Sequence, residues 1–182
     1  MKTNNYTLIV ILCISLLLTS CLSVEKLYLS IDLNKKIGEI KYFNIVSDSE
    51  DKEEIEADFK ELIENNYLGD GIQGGLPSIK ITSKKLYGEK GHLNGKVRFT
   101  FVHLKDALND FDIEIDANGN YFYELDNGLE YTNGTYYEQD LKKQVKWDKN
   151  TETIELYFRI MDSDDTEVVS LLPYWLEWKK NN

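Results

Sequence analysis

Much of the chain alternates between apolar and polar side chains with a period of two. The first such segment carries four apolar residues at alternate positions: Leu27, Leu29, Ile31 and Leu33. Successive side chains of a β-strand point to opposite faces, so this period predicts strands with one buried face. Similar segments are short and are separated by polar turn sequences, which favours antiparallel pairing of neighbouring strands. The pattern therefore predicts a fold built mainly from antiparallel sheet.

Turn sequences set the expected connections between these strands. Asn34-Lys35-Lys36 predicts a first hairpin, whose second strand runs from Ile37 to Val46. Asn-Gly pairs are typical of tight hairpin turns, and three occur: Asn118-Gly119, Asn127-Gly128 and Asn133-Gly134. Asp148-Lys149-Asn150 predicts one more turn. The last strand is expected to hold three aromatic residues: Tyr174, Trp175 and Trp178.

One segment has a helical period instead. Its apolar residues are spaced i, i+4, i+7 and i+8, as on one face of an amphipathic helix: Ile55, Phe59, Leu62 and Ile63. Ser47 and Glu50 stand at capping-box spacing before it, and the pattern ends near Asn65 or Asn66. We therefore expect an α+β fold, with one curved antiparallel sheet or partial barrel packed by one main amphipathic helix.

The N-terminal segment has the layout of an export signal. Lys2 gives a short positive region, and residues 8–18 are apolar but shorter than the ~20 residues that a membrane-spanning helix needs. The next residues, Leu18-Thr19-Ser20-Cys21, resemble the lipobox of bacterial lipoproteins. That resemblance implies that a signal peptidase recognises Leu18, Thr19 and Ser20 and that residues 1–20 are removed. It also implies that Cys21 becomes the acylated first residue.

The resemblance implies a lipid-anchored protein of the bacterial cell envelope. An ordinary secretory signal or an uncleaved N-terminal anchor is the alternative. Two or three acyl chains hold a protein at a membrane far more firmly than one chain does. In a Gram-negative bacterium, Leu22 after the cysteine implies sorting to the outer membrane rather than the inner one. Residues 21–182 are expected to form a single domain on a very short tether, since strand periodicity begins by Leu27.

Cysteine usage agrees with this interpretation. The chain has two cysteines, of which Cys13 lies in the signal and Cys21 would be acylated. The mature chain would then have no free thiol for a disulfide, a metal site or a nucleophile. Its stability is expected to come from a hydrophobic core, for which the remaining length is sufficient.

The charge is acidic overall but unevenly distributed. The formal net charge of −11 would become −12 on removal of Lys2. One segment reverses the sign with six basic residues: Lys80, Lys84, Lys85, Lys90, Lys96 and Arg98. Ordinary solvated faces are the simpler interpretation, and a surface that faces anionic lipid headgroups is the alternative. The acidic charge and the compartment disfavour nucleic acid as a partner.

Four carboxylates at alternate positions are weak candidates for metal ligands: Asp110, Asp112, Glu114 and Asp116. We expect them on one face of a strand, where aligned oxygen atoms suit Ca²⁺. The EF-hand spacing fails, because Ala117 stands at the sixth position counted from Asp112. A solvated row of like charges is the simpler interpretation, and no cofactor is expected.

No catalytic motif is evident. His92 and His103 lack metal-binding spacing, and neither a nucleophile elbow nor a phosphate-binding loop is found. His103 is in phase with Phe99 and Phe101 and is expected at the core or its rim. The many carboxylates are compatible with a hydrolase that uses two acidic residues, but we expect a protein that is not an enzyme.

Two functions fit this sequence. The first is a binding or structural envelope protein whose aromatic sheet holds an envelope or host protein, a glycan or a lipid. Its candidate contacts include the tyrosines near the predicted hairpins: Tyr121, Tyr123, Tyr131, Tyr136 and Tyr137. The alternative is a carrier that encloses an apolar ligand or lipid between sheet and helix. An apolar cavity would favour the carrier, and a filled core with an exposed aromatic patch would favour the first function.

Overall fold

A computed structural model describes residues 22–125, 128–139, 142–161 and 168–182, without the side chains of Gln139 and Lys142. The signal segment, the lipobox and Cys21 lie outside the described residues. The described chain is an α+β fold of antiparallel sheets with few helices. Its first described strand begins at Leu22.

The larger sheet contains seven of the described strands. Their bounds are β1 Leu22–Asp32, β2 Ile37–Ser47, β3 Ile79–Glu89, β4 His92–Phe101, β7 Leu129–Thr132, β10 Thr153–Arg159 and β11 Val169–Ser170. The order is β3-β4-β2-β1-β10-β7, and β11 pairs with the end of β2. The predicted first hairpin is confirmed, since Asp32 pairs with Ile37. The predicted inward face is also confirmed, because Leu27, Leu29 and Ile31 of β1 and Leu33 directly after it are all buried.

The smaller sheet contains four described strands: β5 Ile113–Ile115, β6 Tyr121–Glu124, β8 Thr135–Gln139 and β9 Lys142–Trp147. Their order is β5-β6-β9-β8. The predicted hairpin at Asn118-Gly119 is confirmed, because Ile115 pairs with Tyr121 across it. The prediction of one curved sheet or partial barrel is wrong, since the strands divide into two sheets and do not close.

The chain changes sheets at the other Asn-Gly pairs. β7 and β8 flank Asn133-Gly134 but lie in different sheets, and so do β6 and β7 around Gly128, whose neighbour Asn127 lies outside the described residues. Asn133 instead joins the sheets. Its Oδ1 accepts hydrogen bonds from the Trp147 indole N–H at 2.7 Å and the Glu155 backbone N–H at 2.9 Å. Asn133-Gly134 is therefore a crossing between sheets and not a hairpin turn, and the strands on either side of Asn127-Gly128 do not form a hairpin.

The described helices are α1 Lys52–Glu61, α2 Gly71–Gly75, α3 Leu104–Asn109 and α4 Leu172–Asn181, and a π-helical segment, Leu62–Leu68, continues α1. The predicted amphipathic face is confirmed, since Ile55, Leu62 and Ile63 are buried. The predicted cap is wrong. Asp51 caps α1 by accepting from the Glu53 and Glu54 backbone N–H groups, whereas Ser47 donates to the Asp58 carboxylate.

The C-terminal segment is helix α4 and not the predicted strand, so the expectation of one main helix is also wrong. Pro173 stands in its first turn, a position that tolerates proline. Trp175 is buried, while the rings of Tyr174 and Trp178 pack on Phe59 and Tyr67 with centroids 5.9 and 6.2 Å apart. Contacts with α1 and the π-helical segment thus override the strand preference of these aromatic residues.

Two groups of buried residues stabilise the fold. The first, the sheet core, lies where the two sheets share buried side chains, with Ile154, Val145 and Trp147 at its centre. The second, the helix core, packs α1, the π-helical segment and α4 on the ends of β1–β4, and includes Ile45, Leu93 and Leu171. The candidate site lies where these two cores meet.

Candidate functional site

The inner face of the larger sheet presents an apolar surface to the helices. Leu27 and Leu29 of β1 and Val97 of β4 all lie on it, as the period of two requires. In β2 the alternation of faces is interrupted at Asn44. This residue has a φ of 53°, a left-handed conformation that asparagine tolerates. Tyr42 and Ile45 therefore both face a cavity between the sheet and the helices, although they are three residues apart.

A cavity of about 150 Å³, partly open to solvent, lies between this face and the helical segments. The π-helical segment and α2 supply its other wall, with Leu62, Tyr67, Ile72 and Leu76. An engineered apolar cavity of about this size in another protein stays dry and binds benzene or xenon. Size and lining therefore suit a small apolar molecule or part of a larger one.

A few polar groups stand among these apolar side chains. Lys84 lines the cavity and donates a hydrogen bond to the Gly69 carbonyl. Asn66 is buried at 9% exposure, and its side-chain amide has no hydrogen-bond partner among the described residues. Asp110 Oδ2 accepts from the Ser78 backbone N–H at 2.8 Å. An apolar pocket with a few placed polar groups is the usual form of a small-molecule site.

The π-helical segment places Asn66 and Tyr67 on the cavity. Such segments are rare and are frequent at functional sites. The helical pattern of the sequence places Asn66 at a helix end, and it indicates neither the cavity nor the position of Leu76 in its wall. No sequence pattern marks these residues, because the void depends on how distant elements pack.

The basic segment does not form one surface. Lys84 and Lys85 are consecutive in β3 and so point to opposite faces of the sheet. Lys90 lies in the β3–β4 turn with a φ of 53°, and Lys80 is exposed. Lys96 and Arg98 both pair with Glu39, at 3.2 and 3.0 Å.

Glu39 neutralises part of this charge. Its partial burial would raise the pKa of its carboxyl group, but hydrogen bonds from Arg98, Lys96 and Lys41 outweigh this effect and hold the pKa below its ordinary value. Three cations thus share one ionised carboxylate on the outer face of the larger sheet. The positive potential expected for the segment is correspondingly reduced there.

Aromatic rings lie beside these charges on the same outer face. Lys41 Nζ lies 4.9 Å from the centroid of the Tyr28 ring, a cation–π contact. Burial and a 2.7 Å hydrogen bond donated to Glu155 raise the pKa of Tyr28 above its ordinary value. Tyr157 follows Tyr28 across the sheet, and Tyr131, next to Tyr157, is 51% exposed.

The other tyrosines of the predicted set divide between core and surface. Tyr121 and Tyr123 are buried in the sheet core. Tyr136 and Tyr137 of β8 are exposed, at 58% and 39%. Both predicted environments therefore occur, but the exposed rings of β8 lie on the smaller sheet and Tyr131 lies on the larger one.

The four candidate metal ligands do not share a strand face, because β5 spans only Ile113–Ile115. Asp110 ends α3, and Asp112 has a φ of 52° in the following turn. Asp116 closes the β5–β6 turn by accepting from Asn118 and Asn120. Across the described parts of the chain, no three His, Cys, Asp or Glu residues are grouped to hold a metal ion.

The pKa shifts of these carboxyl groups follow from their local contacts. Hydrogen bonds from Asn120 and Asn118 lower the pKa of Asp116. Partial burial and the neighbouring Glu114 charge raise the pKa of Asp112. The histidines are also separate: His92 Nδ1 lies 2.9 Å from Asn44 Oδ1, and His103 is exposed before α3, not in the core.

Comparison with protein families, curated proteins and solved structures gives no match. Among the helices in the described part of the chain, none has both the length and the apolar composition to cross a membrane.

Proposed function

We propose that this protein is an acyl-anchored lipoprotein of the bacterial envelope whose domain is a carrier for an apolar ligand. The observation that supports the carrier is the 150 Å³ cavity between the larger sheet and the helical segments. A filled core would favour a purely structural protein, since natural interiors leave few voids larger than a water molecule. The predominantly apolar walls suit holding a ligand, and we propose no enzymatic step.

The proposed anchor fits the position of the cavity. Leu22 lines the cavity and immediately follows Cys21. One residue of extended chain spans at most about 3.6 Å, so acyl chains on Cys21 would hold this end of the cavity close to the bilayer surface. Apolar molecules concentrate in the bilayer, and a cavity at its surface could exchange with that reservoir.

Native mass spectrometry of the full chain, extracted from membranes, tests the carrier. Val97→Phe adds volume to a residue of the cavity wall, and Val145→Phe makes the same change in the sheet core, away from the cavity. We expect a small apolar molecule to be released from the wild type and from folded Val145→Phe, but not from Val97→Phe. Its absence from the wild type, or its retention by Val97→Phe, would contradict the proposal.

Metabolic labelling with an alkyne fatty acid tests the anchor. Cys13→Ser leaves the lipobox cysteine in place, whereas Cys21→Ser removes it, so the pair forms a matched control. We expect label and membrane association in the wild type and Cys13→Ser, and neither in Cys21→Ser. Label that persists in Cys21→Ser would exclude acylation at this residue.

A second candidate function concerns the outer face of the larger sheet. Tyr28, Tyr131 and Lys41 there support binding to an envelope partner, since rings and cations on one face suit a protein, glycan or headgroup surface. The exposed basic residues favour an anionic lipid surface among these partners. Charge reversal at Lys80, Lys85 and Lys90 is expected to weaken domain contact with anionic liposomes, as measured by energy transfer. Unchanged contact would exclude this orientation.

A further inference from the structure

We propose that the ligand of the cavity is an apolar carboxylic acid, held by its carboxylate at Asn66 and Lys84 with its hydrocarbon part between the sheet and the helices. This inference rests on the proposed carrier function and specifies its ligand. It follows from the polar groups of the cavity, which a pure hydrocarbon would leave unused.

Asn66 supplies the first argument. The residue is 9% exposed, it lines the cavity, and its side-chain amide makes no hydrogen bond within the described parts of the chain. A buried amide without a partner is unfavourable, and native proteins rarely retain one without a functional reason. An amide N–H at a cavity wall is suited to donate to an oxygen atom of a bound molecule.

Lys84 supplies the second argument. Its ammonium group donates to the Gly69 carbonyl, and none of the described carboxylates lies within ion-pair distance of it. Lys80 does not line the cavity. Lys85 and Lys96 also border it, but the Lys85 ammonium group lies 5.7 Å from the centroid of the Tyr87 ring and Lys96 pairs with Glu39. Lys84 is therefore a partly buried cation with donors to spare at an apolar site, and a carboxylate is the group that would complete it.

The two groups contact the same loop beside the cavity, residues 69–71. Lys84 contacts Gly69, at the end of the π-helical segment that holds Asn66. Asn66 Oδ1 in turn lies against Gly71, where a Cβ atom would be only 3.0 Å away. The loop from residue 69 to 71 is thus in contact with both side chains.

The rest of the cavity limits the size of the ligand's hydrocarbon part. Asp110 also lines the cavity, but its carboxylate already accepts from the Ser78 backbone N–H. The volume suits about six carbon atoms, the size of benzene. Because the cavity is partly open, a longer tail could extend beyond it.

Calorimetric titration of the full chain in neutral-lipid nanodiscs tests the inference, with empty nanodiscs as the blank. The probes are benzene, hexan-1-ol and hexanoate. A charge-assisted contact predicts that the wild type binds hexanoate at least about tenfold more tightly than hexan-1-ol. Asn66→Leu and Lys84→Met are expected to remove most of this preference and to leave benzene affinity within about twofold of the wild-type value.

Matched controls are available beside both residues. Asn65→Leu and Lys80→Met change exposed neighbours outside the cavity and are expected to leave every affinity unchanged. Benzene binding shows that each variant retains the cavity. Equal binding of hexanoate and hexan-1-ol by the wild type, or equal loss of benzene and hexanoate in the variants, would overturn the inference alone. Failure of every probe to bind the wild type would overturn the carrier function as well.

Discussion

The sheet core and the cavity contain the same kinds of side chain but differ in how completely they pack. In the sheet core, Val145 and Ile154 are fully buried, and a Cβ at Gly134 would lie 2.3 Å from Val145 Cγ1. Beside the cavity, the nearest atoms to a Cβ at Gly95 would belong to the Ile45 and Tyr42 side chains, at 3.3 Å. In the sheet core, side chains of the two sheets interdigitate tightly. Between the larger sheet and the π-helical segment with α2, the packing leaves a void. The space that could hold a ligand therefore lies between the larger sheet and the helical segments, and not between the two sheets.

The largest expected difference concerns these two glycines. Gly134→Ala forces a methyl group into Val145 and Trp147 and is expected to lower the free energy of unfolding by about 2–3 kcal/mol. Gly95→Ala requires only a small side-chain shift and is expected to lower it by less than about 1 kcal/mol. Urea denaturation measures both values. Equal losses would show that the cavity side is packed as tightly as the sheet core.

Larger side chains sharpen the comparison. Val145→Phe overfills the sheet core and is expected to lower the free energy of unfolding by about 1–3 kcal/mol. Val97→Phe extends into the cavity and is expected to lower it by less than about 1 kcal/mol. Thermal unfolding of both variants provides the measurement. A loss in Val97→Phe as large as in Val145→Phe would mean that the cavity is not available to side chains.

Benzene should stabilise only those proteins whose cavity is open. Benzene at ten times its dissociation constant is expected to stabilise the wild type by about 1.4 kcal/mol, because it binds only the folded state. Val97→Phe should show little of this effect, whereas a folded Val145→Phe should keep it. The shift of the unfolding midpoint with benzene measures the difference. The same shift in all three proteins would assign binding to another site.

The smallest effect is expected at Asp112, between Phe111 on the cavity and Ile113 in the sheet core. The pKa of Asp112 is raised, so ionisation at neutral pH opposes folding. Asp112→Asn should therefore stabilise the protein by less than about 0.5 kcal/mol, because solvent screens an exposed group.

The gain should disappear as the pH falls below the ordinary Asp value of 3.8, where both folded and unfolded carboxyl groups are protonated. Unfolding measured between neutral and acidic pH checks the sign. A gain that grows towards low pH would contradict the raised pKa.

Local sequence patterns predicted the parts of this fold that depend on local geometry. The buried face of β1, the turn after Asp32 and the face of α1 all follow from side-chain periodicity and turn residues. The division into two sheets did not follow. Whether Asn133-Gly134 closes a hairpin depends on the distant residues Trp147 and Glu155 that bind it.

The C-terminal helix and the candidate site show the same limit. Pro173 is compatible with a helix start, but the aromatic residues after it have a strand preference. Their contacts with α1 and the π-helical segment decide for the helix, and these contacts are not visible in the local sequence. The cavity has no sequence signature, because it depends on how elements that are distant in the sequence pack against each other. Only the fold separates Lys84 from Lys85 by face, and only the fold buries Asn66.

Methyl NMR spectroscopy of the full chain in nanodiscs, titrated with benzene, tests the central claim most directly. Leu29 and Val97 line the cavity, whereas Val145 and Leu108 are buried in the sheet core away from it. The account predicts that benzene shifts the methyl resonances of Leu29 and Val97 and leaves those of Val145 and Leu108 in place. No shift at Leu29 and Val97, or equal shifts in all four, would contradict a ligand site between the sheet and the helices.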